Sequence, residues 1–247
     1  MNYQGARTIL SNPFEGLTRE DEVWDRLVAI VGERWGITSV LFAFTHSRFT
    51  TSRVGVTSSL FFRQNLPADF VASYPNGLSL DDDIASELIL SGEDEFLWSS
   101  FETRDLRPVQ RARYETDKAF GMGVGVSFGF RFGGHSGFGG MCWGKRHADA
   151  HAFKALWQAQ RLDMLALAHQ FEAIMRPIMV RNRFSLTPRE TDVMSFSAGG
   201  MTQKQIAEHL KLSPKTIANT LERARKKLDA VSTMEAVAKA LIYELIG

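Results

Sequence analysis

Cysteine is nearly absent: Cys142 is the single one in 247 residues. No intrachain disulfide can form and a cysteine-rich zinc site is excluded, which fits a reducing compartment. Charge of one sign is lacking too. With 29 Lys+Arg against 28 Asp+Glu, bulk electrostatics argues for neither nucleic acid nor a membrane surface. No stretch approaches the roughly 18 apolar residues of a membrane span, and the first residues show no basic start followed by an apolar run. A cytoplasmic protein with no membrane partner is expected. Internal repeats, low-complexity tracts and any nucleophile, histidine and acid set at diagnostic spacing are missing, so no catalytic residue is assigned and an enzyme is not expected.

What is present is ample apolar content, 44% of residues, enough for one large or two ordinary domains. Val23, Leu27, Ile30 and Val31 stand at helical spacing within 19–35, and Gly36 ends the run. TSVLFAFT (38–45) suits a buried strand and residues 51–59 a second one beside it. Residues 67–91 read as short helices broken at Pro75, Asn76 and Gly77. In VGVSFGFRF (124–132), Val124, Val126, Phe128, Phe130 and Phe132 alternate with small or polar residues, placing five large side chains on one strand face. SGFGGMCWG (136–144) supplies its hairpin partner. From His151 to Arg176 the chain is an unbroken helix former with apolar residues on more than one face, one for its own domain and one for a partner. Pro177 is expected to stop it, with residues 177–185 as linker.

The tail announces four helices by their starts. Thr187-Pro188-Arg189-Glu190, Thr202 to Gln205 and Ser232 to Glu235 are capping boxes, and Ser213-Pro214 caps a fourth helix. The helices are predicted over 188–198, 203–210, 214–228 and 233–245. Only Lys211, Leu212 and Ser213 separate the second from the third, the tight turn of a helix-turn-helix. The third is expected to expose Lys215, Thr216, Asn219, Thr220, Arg223 and Lys226: cations for phosphates and short polar groups for base edges. A solvated face on a helical bundle is the usual reading of an isolated basic helix, but here caps, turn and exposed chemistry agree. Residues 184–247 carry 9 Lys+Arg against 7 Asp+Glu, a slightly basic tail on a neutral body.

The stretch LTPRETDVMSFSAGGMTQKQIAEHLKLSPKTIANTLERARKKL resembles the DNA-binding module of the LuxR family, from Leu186 to about Ala240. The resemblance implies that 214–228 is the recognition helix, with Ser213 at its cap. It implies that Thr202, Gln203 and Lys204 approach phosphates, and that helix 233–245 pairs two modules. Thr220 departs from the histidine common at its place. A two-fold homodimer on an imperfect inverted repeat of double-stranded DNA follows, with half-sites about one helical turn apart. RNA polymerase is a partner if the protein activates.

Residues 67–144 resemble the acyl-homoserine-lactone-binding domain of quorum-sensing LuxR proteins, in PADFVASY (67–74), DDDI (81–84), FLW (96–98) and FGMGVGVSF (120–128). Tyr74, Asp82, Trp98 and Gly125 fall on the family's ligand-site and pocket positions. Phe70 stands where the family has a donor tryptophan, Asp83 where it has proline, and Trp143 where a small hydroxyl residue is usual. A divergent or orphan member is therefore expected, one that binds ordinary lactones poorly, ignores ligand, or answers another small molecule. Tyr74, Trp98 and Trp143 could equally be core aromatics.

The fold class expected is α+β: an antiparallel sheet flanked by helices in an α-β-α sandwich (1–176), the linker (177–185), and an all-α four-helix DNA-binding domain (186–247). No cofactor is expected beyond a small-molecule ligand. His147 and His151 lack a third ligand in register, so no metal site is assigned, and Gly121, Gly123 and Gly125 fail the dinucleotide spacing. Besides direct regulation, an anti-activator that forms mixed dimers with a related LuxR-type regulator remains open. An inhibitor need not preserve the caps and recognition-helix chemistry, which favours direct regulation.

Overall fold

The computed structural model describes residues 12–46, 60–73 and 83–247. Strands β1 (Ser39–Thr45), β2 (Phe61–Gln64), β3 (Glu95–Leu97), β4 (Gly125–Phe132) and β5 (Gly137–Gly144) form one antiparallel sheet in the order β2-β1-β5-β4-β3. The hairpin β4–β5 pairs Val126 with Trp143 and Phe128 with Met141. β1 then joins from more than ninety residues away, Ser39 opposite Gly144. Alternation gives the sheet two different faces.

One face carries Phe42, Phe44, Val126, Phe128, Phe130, Phe132 and Trp143, all buried. It packs beneath α1 (Glu20–Trp35) and α5 (Ala150–Arg183), where Phe171 meets Phe42 edge-on at 5.2 Å between ring centroids. Gly36 ends α1 in the left-handed conformation, as expected of a glycine cap. The other face lies under α2 (Ala68–Ala72), α3 (Ile84–Ser91), the 3-10 turn Trp98–Glu102 and α4 (Pro108–Ala119), with a smaller core of Ile84, Ile89, Phe96, Phe101 and Tyr114. Strand 61–64, strand 95–97 and helix 108–119 were not expected from sequence. The strand expected at 51–59 and the break at Pro75, Asn76 and Gly77 lie outside the described residues.

Pro177 does not end the long helix. α5 continues through it to Arg183, leaving 184–187 as the connection. An internal proline forfeits a hydrogen bond and costs about 3 kcal/mol. Met175, Ile178, Met179 and Val180 are all buried around it, and their burial, worth roughly 1.5–3 kcal/mol per large apolar side chain, outweighs that loss.

The last four helices are α6 (Pro188–Ala198), α7 (Gln203–Leu210), α8 (Pro214–Lys227) and α9 (Thr233–Ile242). Thr187 with Glu190 and Thr202 with Gln205 form the expected capping boxes. Ser232 caps α9 through the Glu235 amide, but the Glu235 carboxylate reaches back to the Val231 amide instead. Lys211 supplies the left-handed residue (φ 54°) that turns α7 into α8. Val193, Met194, Ile206, Ile217, Leu221, Ala224 and Leu228 close the small core.

The two halves share an aromatic contact. Tyr243, just past α9, packs against Phe44, Phe61, Phe132 and the connecting Phe184, with centroids 5.4–6.3 Å away. Gly133 is needed beneath it, because a Cβ there would stand 2.4 Å from the Ile242 carbonyl oxygen. Glu244 adds an ion pair to Arg176 at 3.2 Å.

Candidate functional sites

The first site is the exposed face of α7 and α8. Lys215, Thr216, Asn219, Arg223 and Lys226 are exposed along α8, with Ser213 at its cap. Thr202, Gln203 and Lys204 are exposed at the start of α7. A helix start presents unpaired amides and a positive dipole end, both suited to phosphate oxygens. Thr220 is not on this face. It is 1% exposed; its hydroxyl donates to the Thr216 carbonyl at 2.9 Å and accepts from Arg223 Nη2 at 3.2 Å. The residue expected at a base edge instead holds a neighbour that reaches out: helical spacing turned position 220 inward with Ile217 and Leu221.

Behind the face sits Glu190, 2% exposed. It accepts from Lys227 Nζ at 2.7 Å and from the Thr187 amide at 2.8 Å, and Arg223 Nε stands 3.8 Å away. Burial would raise its pKa, yet the Lys227 ammonium and the Thr187 bonds hold the carboxyl below its usual range. Lys239 plays the complementary part. Its ammonium is buried against the carbonyls ending α8, 3.2 Å from Leu228 O and 2.7 Å from Asp229 O, a cation at the negative end of a helix.

The second site is a cavity on the α2–α4 side of the sheet. It has two chambers of about 120 Å3 and about 100 Å3. They meet at a waist of Leu41, Asp83, Ala85, Arg113 and Cys142, which line both. Asp83 caps α3, its Oδ2 accepting from the Ser86 amide and hydroxyl at 2.7 Å each. Arg113 Nη2 stands 3.6 Å from Asp83 Oδ1. Burial, aided by the Asp83 charge, pushes the Cys142 thiol up to about 12, so it stays protonated and inert beside Ser127 Oγ at 3.2 Å.

Phe70 and Trp98 line the smaller chamber. Phe70 meets Phe120 edge-on, and the Trp98 indole donates to Ser127 Oγ at 2.8 Å. Gly125 gives the closeness Trp98 needs, since a Cβ there would come within 2.7 Å of the indole and 2.5 Å of the Trp143 carbonyl. Trp143, expected at the ligand site, lies instead on the opposite sheet face, fully buried, stacked on Trp35 at 5.6 Å and edge-on to Phe128 at 4.8 Å. It takes no volume from the cavity, because in register it shares the face of Val126. Tyr74 and Asp82 lie outside the described residues. Arg113 and Thr45 are not singled out by the sequence, and Asp83 stands out there only as a departure from the family's proline. The alternation of Leu41, Ala43 and Thr45 against Phe42 and Phe44 was the signal for Thr45, whereas Arg113 sits on a helix the sequence had not suggested.

His147 precedes α5 in left-handed conformation (φ 56°), so it and His151 do not share a helix face. Among the described residues no group of three or more His, Cys, Asp or Glu is placed to hold a metal ion, and no helix is long and apolar enough to cross a membrane.

A sheet with a chambered face, joined to a capped helix-turn-helix, defines a two-part sensor and DNA-binding regulator. Two family descriptions match: "Autoinducer binding domain" over residues 19–171, and "Bacterial regulatory proteins, luxR family" over residues 184–240. The first spans well over half of the chain, and the chain belongs to the LuxR-type quorum-sensing transcription regulators. It is similar to the quorum sensing-dependent transcriptional regulator RpaR of Rhodopseudomonas palustris, 36% identical over 88 residues, a stretch covering 36% of each chain. The transcriptional activator SolR of Ralstonia nicotianae is 27% identical over 73% of this chain and 75% of its own. In fold, it resembles the crystal structure of Escherichia coli SdiA, with a TM-score of 0.58 at 17% identity over 94% of both chains.

Proposed function

We propose that the chain is a homodimeric, sequence-specific DNA-binding regulator whose response to ordinary acyl-homoserine lactones is weak, altered or absent. The carrying observation is α8: a helix capped at Ser213 that leaves Lys215, Thr216, Asn219, Arg223 and Lys226 exposed together. It would lie in the major groove, with Thr202, Gln203 and Lys204 on the backbone. Pairing through α9 and α5 is supported by apolar side chains left open to solvent: Val231 (87% exposed), Met234 (83%) and Leu241 (45%) on one side, Leu162 (74%) on the other. Two such modules would read an inverted repeat.

Enrichment of a random double-stranded DNA pool by the full chain tests this. An inverted repeat should emerge, and Lys215→Ala or Arg223→Ala should weaken binding while sedimentation still shows the dimer. Failure to enrich any repeat sinks the reading. Loss of the dimer in either variant would make these residues structural.

The altered ligand response rests on the smaller chamber. Phe70 has no donor, and the Trp98 N–H is already bonded to Ser127. A missing buried hydrogen-bond partner costs about 1–3 kcal/mol, roughly tenfold to a hundredfold in affinity. Native mass spectrometry of protein expressed with and without a lactone mixture should show an empty, soluble dimer in both. A stoichiometric lactone would overturn this part.

A further inference from the structure

The larger chamber is apolar except at its two ends and at Ser86, whose hydroxyl is already bonded to Asp83. At the waist are Asp83 and Arg113; at the far end is Thr45, the last residue of β1. Leu41, Ala43 and Thr45 point into the chamber by alternation. Thr45 lies four strand steps beyond Leu41, about 13 Å at the usual rise per residue. Thr45 is 4% exposed, and its hydroxyl has no hydrogen-bond partner. Buried polar groups are nearly always paired, and of the three unpaired buried side-chain atoms among the described residues, on Thr45, Trp143 and Gln170, only that of Thr45 belongs to a residue lining this chamber.

We propose that Thr45 is a specificity residue for the distal end of the ligand, so that the larger chamber takes a short apolar tail ending in a hydroxyl or carbonyl group. This rests on the cavity being the ligand site. A plain alkyl tail would bury the Thr45 hydroxyl without relief, whereas a tail bearing a terminal donor or acceptor restores the missing bond. A chamber of about 120 Å3 is of the order of the roughly 150 Å3 cavity that admits a single benzene. The part of the tail that the chamber encloses is therefore short. Among the apolar residues around it, including Leu60, Ile89, Leu90 and Phe138, Thr45 distinguishes a polar terminus from a methyl one.

The test uses four probes on the full chain: hexanoyl and 6-hydroxyhexanoyl tails, each carried on homoserine lactone and on glycerol. Two head groups keep the tail preference separate from head-group recognition. Affinities are measured by titration calorimetry for the wild type, Thr45→Val and Thr45→Ser. The wild type should favour the hydroxylated member of a pair by about tenfold. Thr45→Ser should keep that preference, and the isosteric Thr45→Val should abolish or invert it. Without ligand, Thr45→Val should melt no lower than the wild type, because it removes an unpaired buried hydroxyl. Equal affinities within pairs, or a preference that survives Thr45→Val, would overturn the proposal and leave the cavity as ligand site. A melting temperature several degrees lower for Thr45→Val would overturn it too, by showing that the hydroxyl is paired. If none of the four probes binds, the proposal falls.

Discussion

The DNA-binding module and the sensor sheet are held together by different kinds of information. In the module each helix start is fixed by residues within a few positions: Thr187 with Glu190, Thr202 with Gln205, Ser213 with Thr216. Even its buried charges are short-range in space, with Lys239 closing the end of α8. The sheet depends on partners far apart in sequence, such as Ser39 with Gly144 and Leu97 with Val126. Local signals make a fold legible and quick to form, while non-local pairing makes its faces visible only once assembled.

The largest expected effect breaks the sheet. Trp143→Ala empties a fully buried site against Trp35 and Phe128 and should cost about 4 kcal/mol in denaturant unfolding. It should do so without changing small-molecule affinity, since the indole is on the face away from the cavity. A gain in ligand affinity would show that Trp143 blocks the chamber after all.

The contact between the halves comes next. His46 is buried beside Tyr243, Nδ1 3.3 Å from its hydroxyl. Burial, with the Lys239 charge, lowers its pKa to about 4. A lowered folded pKa means the unfolded chain binds the proton first as pH falls. The contribution is therefore intact above the unfolded value near 6.5 and is lost between that pH and about 4, on the order of 3 kcal/mol. His46→Phe should flatten this part of the pH–stability curve, read by melting temperature at pH 7, 6, 5 and 4. Parallel curves for the two proteins would show that His46 is not desolvated there.

Within the module, Glu190→Gln keeps the shape of the cap but removes the charge facing Lys227. We expect a loss of about 1 to 2 kcal/mol in stability and a further drop in DNA affinity, because Arg223 loses a nearby carboxylate. An unchanged melting temperature would mean that Lys227 finds another partner. The smallest effect is Lys215→Ala: DNA binding weaker by about tenfold on every sequence, with the salt dependence reduced by about one phosphate contact. A change of sequence preference instead would place Lys215 at a base edge.

Legibility followed the same division. Caps and turn gave α6 to α8 to within a residue or so, because each signal is a side chain meeting an amide three positions away. Position 220 was misjudged, since a polar residue on a helix says nothing about which way the helix is rolled until its core partners are known. In the sensor, the β4–β5 hairpin was readable from alternation and proximity. Strand 61–64, strand 95–97 and helix 108–119 were not, being short or highly charged and stabilised mainly by what they pack against. Pro177 misled for a related reason: the local penalty was real, and burial around it was larger.

The amino-acid order alone determined the helix-turn-helix, its capped starts, the lone thiol and the alternating phenylalanines of β4, because these depend on neighbours along the chain. Tertiary structure decided which face each residue serves. It sent Trp143 to the core and Thr45 to the cavity, turned Thr220 inward, and set Tyr243 of the DNA-binding half on the back of the sensor sheet. Such assignments depend on register and on packing between distant segments, where moving a strand by one residue exchanges its two faces.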